Sequence, residues 1–218
     1  MARAVERYLK DQAAREGDRK TLNEIWERVR DSDEDALFED KLTTFMDGIG
    51  ADTEYKQMVV AWKIGCSTMG EIKRAEFVEG FAKLGCSTEQ DMATMLSKEL
   101  QNLQDFKYFK TFYRWFYKFV AASSGVKTLA TKDVIYLWRV IGPHFPTSFV
   151  HMEAWLSFIK DRYKGIQADL WNSILDFAQM VPPNFEGYSV DDAWNTEIDE
   201  FVKYFQEQQL AQAQSQPK

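Results

Sequence analysis

Apolar side chains along this chain recur at intervals of three and four residues almost without interruption, and that spacing admits one kind of regular structure. Leu22, Ile25, Trp26 and Val29 keep it, as do Met58, Ala61 and Trp62, then Phe109, Phe112, Phe116 and Phe119, and later Leu170, Trp171, Ile174 and Ala178. Such a set lies along one face of a helix, whereas a strand needs alternation, and no convincing alternating run is present. The chain therefore reads as all-α. Glycine and proline punctuate it at Gly48 and Gly50, at Gly85, at residues 123–125 and 142–146, and at Pro182 and Pro183, which leaves connections of ordinary length. Residues 206–218 are rich in Gln and Ala, with no apolar face after Leu210, and read as a frayed, disordered tail.

A chain of 218 residues with 45% apolar and 15% aromatic side chains can build one large domain or two packed subdomains. No run of about 18 apolar residues occurs, and the first twenty residues are charged throughout, so neither a membrane span nor a secretory signal is expected. The expected location is the cytoplasm or the nucleus. Cys66 and Cys86 stand apart with no CxxC, which fits reduced packing thiols better than a disulfide or a zinc site. Without a basic stripe, the acidic chain is expected to meet a protein rather than nucleic acid or a membrane, and to be a monomer.

The acidity has a location. Residues 166–205 hold eight carboxylates (Asp169, Asp176, Glu186, Asp191, Asp192, Glu197, Asp199, Glu200) against one base, Lys203, and the local balance equals the −7 of the whole chain. Set among large apolar side chains, such a patch suits docking of a basic protein: opposite potentials steer encounter while aromatics anchor. A solvated helix face is the plain alternative. In the same half a tryptophan is followed four residues later by an aliphatic side chain, in Trp155 with Ile159, Trp171 with Leu175 and Trp194 with Ile198, which predicts three helices each pinned by one ring. The last is expected to start from an S-x-x-D cap at Ser189 and Asp192, with Val190, Trp194, Ile198, Phe201 and Phe205 on the buried stripe and the acids at 192, 199 and 200 off it.

Two loops resemble calcium sites with parts missing. Asp31, Asp33 and Asp35 stand at the first, third and fifth positions of a possible EF-hand loop, with Phe38 at the eighth, but Ala36 replaces the turn glycine and Leu42 the final carboxylate. In residues 65–76 Gly70, Ile72 and Glu76 keep positions six, eight and twelve, while Gly65, Ser67 and Met69 fill the early ligand positions. Calcium needs about seven oxygens, including a bidentate carboxylate at the twelfth position. Two helix-loop-helix units that keep the frame and lack part of the ligand set predict a paired EF-hand-like scaffold that packs without metal. Such a module still offers a groove for an amphipathic helix or a chain terminus. Its runner-up is a calcium-responsive interaction module.

Catalytic patterns are not found. His144 and His151 lack metal-ligand spacing, and no nucleophile elbow or phosphate loop exists, so no catalytic residue, metal or cofactor is expected.

Three stretches together resemble the defective-in-cullin-neddylation proteins: residues 61–88 (AWKIGCSTMGEIKRAEFVEGFAKLGCST), 106–120 (FKYFKTFYRWFYKFV), and the pieces DLWNSILDF and YSVDDAWNTEIDEFVKYF within 169–205. The similarity runs from about Leu22 to Phe205. It implies a potentiating-neddylation domain over 21–205, after a flexible segment 1–20, with an EF-hand-like half over 21–120 and a cullin-binding half over 121–205. The implied role is a non-catalytic co-ligase that bridges the cullin C-terminal winged-helix domain and the N-terminally acetylated tail of the neddylation E2. Orientation and effective concentration would then raise the rate. The family's Asp, Ala and Asp that grip the cullin map onto Asp176, Ala193 and Asp199. By flanking motifs, the pocket for the E2's acetyl-methionine would be walled by Met58, Ala61, Ile72, Phe119, Leu137 and Val140. Acetylation matters because a free ammonium would be costly to bury there. Asn195 stands where the family usually has proline, and Gln57, Gly70 and Trp115 depart from its commoner apolar choices.

Overall fold

The computed structural model describes residues 2–147 and 149–215, and the side chains of 16–147 and 149–211. Its described elements are ten α-helices, one 3-10 turn and two short antiparallel strand pairs, and no described helix is long and apolar enough to cross a membrane. Two compact units divide the chain between Asp105 and Phe106. The boundary expected at 120/121 falls inside an unbroken helix, Phe106–Ser123, which packs on a later helix and so belongs wholly to the second unit.

The first unit contains α1 (Ala2–Val29), β1 (Ala36–Phe38), α2 (Glu39–Gly48), α3 (Glu54–Ile64), β2 (Glu71–Lys73), α4 (Arg74–Lys83) and α5 (Glu89–Asn102). The helical spacing of Leu22, Ile25 and Trp26 places all three in the core, where Trp26 meets Phe77 at 5.2 Å between ring centroids. Phe45 and Phe81 complete that cluster around Phe77. Segment 1–20, expected to be flexible, is helical from Ala2 onward, and Arg19 clamps Glu79 through two 2.8 Å bonds. At the α3–α4 crossing Gly80 has no side chain for a physical reason: a Cβ there would lie 2.6 Å from the Cβ and the carbonyl oxygen of Ile64.

Strands β1 and β2 pair so that Leu37 faces Ile72, both fully buried. Helices α2 and α4 begin two residues after these partners, at Glu39 and Arg74. That register corrects the first loop by one residue: Leu37, not Phe38, holds the inward apolar position, because Phe38 stays half-exposed. Counted in the same frame, Asp31, Asp33 and Asp35 move to the second, fourth and sixth positions, and Lys41 takes the twelfth. Asp35 accepts from Trp26 Nε1 at 2.9 Å. In the second loop Glu76 accepts from the amides of Ser67 at 2.9 Å and Lys73 at 3.0 Å, so its carboxylate braces its own turn.

The second unit contains α6 (Phe106–Ser123), β3 (Leu129–Ala130), α7 (Thr131–Ile141), a 3-10 turn (Gly142–His144), α8 (Met152–Lys160), β4 (Gly165–Ile166), α9 (Ala168–Met180) and α10 (Thr196–Ser215). It has its own ladder, with Leu129 opposite Ile166, which the sequence spacing did not disclose because each strand is two residues long. Tyr117 braces this ladder, donating its hydroxyl to the Ile166 carbonyl at 2.6 Å and accepting from the Leu129 amide at 3.3 Å. In the core, Tyr113 stacks on Trp171 at 4.3 Å and Trp171 on Trp138 at 5.1 Å. Tyr113 donates its hydroxyl to the Trp171 carbonyl at 2.8 Å and accepts from Trp138 Nε1 at 2.7 Å, while Trp171 Nε1 donates to the Tyr113 carbonyl at 3.0 Å.

Trp155 and Trp171 pin α8 and α9 as the spacing predicts, and both are fully buried. The third repeat differs, for α10 starts at Thr196, after Trp194. Ser189 Oγ instead accepts from the Asp191 amide at 3.1 Å, a local turn that competes with helix initiation, and Val190 is 70% exposed. Residues 206–215, read as part of a frayed tail, continue α10, while 216–218 lie outside the described residues.

Three outcomes follow from this packing. Gly80→Ala is expected to destabilise the first unit by about 1–3 kcal/mol in urea unfolding, through the clash with Ile64. Millimolar calcium is expected to leave the melting temperature unchanged; a rise would show a native-state ion site. Cys66 and Cys86 are buried, and that burial, with lesser contributions from Glu76 and Asp91, pushes their thiols up to about 12 and about 11. Their protonated forms thus support the fold below the ordinary thiol value of 9.0, and that support is lost as pH rises toward these values. At neutral pH alkylation should reach both thiols only after unfolding, as mass spectrometry would show.

Candidate functional site

The eight carboxylates of 166–205 are carried by α9, by the connection 181–195 and by the first turns of α10. A connection of that length without regular structure must be held by side chains. Phe177, 1% exposed on α9, is the pillar. Around its ring stand Trp194 at 5.5 Å and 89°, Tyr188 at 6.0 Å and 81°, and Phe185 at 6.3 Å. Edge-to-face contacts of this kind suit the quadrupoles of aromatic rings. Phe185 is held at φ +57, a strained value for a bulky residue, while stacked on His151 at 4.8 Å. Asn195 closes the loop by donating to Asp169 at 2.9 Å, which ties the start of α10 to the start of α9.

Asp176, Ala193 and Asp199 come from three elements, each next to a residue of this aromatic cluster: Asp176 precedes Phe177, Ala193 precedes Trp194, and Asp199 bonds to Tyr188. Ala193 is exposed. The acids themselves are less open than their spacing suggests. Asp176 and Asp199 are both half-buried, and each has an internal partner. Lys110 on α6 pairs with Asp176, and Tyr188 donates its hydroxyl to Asp199. Acids that have one base among their sequence neighbours thus receive a second from α6. Tyr163 likewise donates to Glu200 at 2.6 Å. Burial first, then the bond to Asp199 and the charges of Asp199 and Asp192, push the Tyr188 hydroxyl above the usual tyrosine range, so it remains a donor.

Lys110 and Tyr188 escaped sequence reasoning. Lys110 lies 66 residues upstream of its partner in a run that reads only as an amphipathic helix, and Tyr188 reads as one more aromatic in a loop. The expected pocket residues divide between the units. Met58 and Ala61 lie on α3 and Ile72 on β2, with Ala61 and Ile72 buried and Met58 half-buried. In the second unit Phe119 lies on α6 and Leu137 and Val140 on α7, with Val140 half-buried and the other two buried. Trp115 stacks on Phe119 at 4.6 Å. His151 joins the aromatic packing and donates from Nε2 to the Pro183 carbonyl at 2.7 Å. Among the described residues no three His, Cys, Asp or Glu side chains converge as a metal site would need.

Comparison with known proteins adds two findings. A family model described as cullin binding matches residues 90–204, just over half of the chain. DCN1-like protein 3 of Xenopus laevis is 29% identical over 196 residues, which cover 88% of this chain and 64% of that protein. Its Homo sapiens counterpart is 28% identical over the same shares of each chain. Defective in cullin neddylation protein 1 of Yarrowia lipolytica is 27% identical over 192 residues, 85% of this chain and 78% of that protein. The chain thus spans somewhat under two thirds of the DCN1-like relatives.

Proposed function

Because the chain belongs to the cullin-binding family, we propose that it promotes cullin neddylation as a non-catalytic co-ligase in the cytoplasm or nucleus. The observation that carries this reading is the family match over residues 90–204, within which Asp176 pairs with Lys110, Asp199 takes the Tyr188 hydroxyl, and Trp194, next to Ala193, packs on Phe177. A cullin C-terminal winged-helix domain would dock there, its basic side chains meeting the carboxylates while Ala193 permits close approach. Acid concentrated in one segment would also speed encounter with a basic partner.

The second contact is with the acetylated N-terminus of the neddylation E2. The residues that the family resemblance nominates for its methionine are Met58, Ala61 and Ile72 of the first unit and Phe119, Leu137 and Val140 of the second, and the neutral acetyl cap would avoid burying an ammonium. Catalysis on this reading is orientation: the protein forms no covalent intermediate and raises the effective concentration of the charged E2 beside the acceptor lysine.

Calorimetry with a purified cullin winged-helix domain tests the first contact. The wild type should bind with micromolar or better affinity, weaker at higher salt, and Asp199→Ala or Asp176→Ala should cost about 2–5 kcal/mol while the helical circular dichroism stays intact. Unchanged affinity in both variants would remove the patch from the proposal.

A further inference from the structure

The two carboxylates of the patch are not equivalent. Lys110 is a cation, and its pair with Asp176 is only 25% and 29% exposed on the two side chains, so the pair presents a nearly neutral dipole. Tyr188 is a neutral donor. It orients Asp199 and leaves the carboxylate's charge whole, and among the described residues no lysine or arginine pairs with Asp199. Tyr188 is itself fixed at both ends, its ring against Phe177 at 6.0 Å and its hydroxyl on Asp199.

Resting on the cullin-binding reading above, we infer that Tyr188 is the positioning residue of the contact, holding Asp199 as the uncompensated charge of the patch, while Lys110 cancels Asp176 and competes with any base that approaches it. Of these two acids, Asp199 is then the one that adds its full charge to the long-range attraction of the segment. Asp176 acts at short range, through the carboxylate oxygen that Lys110 leaves open. A partner must therefore bring one base matched to Asp199 and a donor able to share Asp176 with Lys110. The arrangement selects by geometry as well as by charge.

The full chain, titrated with a cullin winged-helix domain at low and high salt, tests this with Asp199→Ala, Tyr188→Phe and Lys110→Gln beside the wild type. Tyr188→Phe removes no charge, so it should weaken binding about tenfold with the salt slope unchanged, the loss of one bond to a charged group. Lys110→Gln keeps a donor and removes the cation, so it should tighten binding several-fold and steepen the salt dependence; a purely structural lysine predicts the opposite sign. If Asp199→Ala binds poorly while Tyr188→Phe matches the wild type, or while Lys110→Gln binds more weakly, the inference is overturned and the cullin reading stands. If Asp199→Ala binds like the wild type, the inference is likewise overturned; if the wild type itself does not bind the cullin domain, the cullin reading has failed and takes the inference with it.

Discussion

The second unit depends on the lock between α6 and α9 made by Tyr113 and Trp171. Their rings stack at 4.3 Å, and each donates a side-chain proton to the other's backbone carbonyl. Buried polar groups are tolerable only when paired, and here the pairing fixes the axial register of two helices as well as their distance. Lys110 lies three residues before Tyr113 and Asp176 five after Trp171. Sliding either helix by one turn would separate that ion pair. The stack therefore sets the electrostatics of the patch from inside the core.

A second constraint acts on the connection 181–195. A segment of this length would ordinarily wander, yet it presents Ala193 and Tyr188 in fixed places because Phe185, Tyr188 and Trp194 all pack on Phe177. Aromatic side chains suit this task, since each buries a large area while giving up few rotamers. The same rings that stabilise the loop thus aim its polar atoms. On the proposed reading stability and recognition share residues here, so Phe177 is a poor place to separate them by mutation and Tyr188 a better one.

Both units use one economy of construction. Two helix-loop-helix pieces meet through a ladder of two or three residues, and the apolar partners facing each other, Leu37 with Ile72 and Leu129 with Ile166, are buried. The ladder lets short loops be held without a bound ion: Glu76 braces the amides of its own turn, and Tyr117 braces the ladder of the second unit. Where a loop carried suggestive acids, as at Asp31, Asp33 and Asp35, the ladder register assigned them other places.

The sequence by itself determined that the chain is helical, which tryptophans pin α8 and α9, and where the acid is concentrated, because these are local matters of periodicity and composition. Its likeness to a known family also reached the cullin-binding assignment and nominated Asp176, Ala193 and Asp199. Local rules failed where two signals competed: Ser189 looked like a helix cap but turned on its own loop, and Phe38 looked like an inward residue until Leu37 claimed the partner strand. Only the tertiary structure decided that Asp176 is neutralised by Lys110 and Asp199 is not neutralised by Tyr188. That difference arises between residues as much as 66 positions apart, and such a pairing is set by which helices the core holds together, which no local pattern encodes.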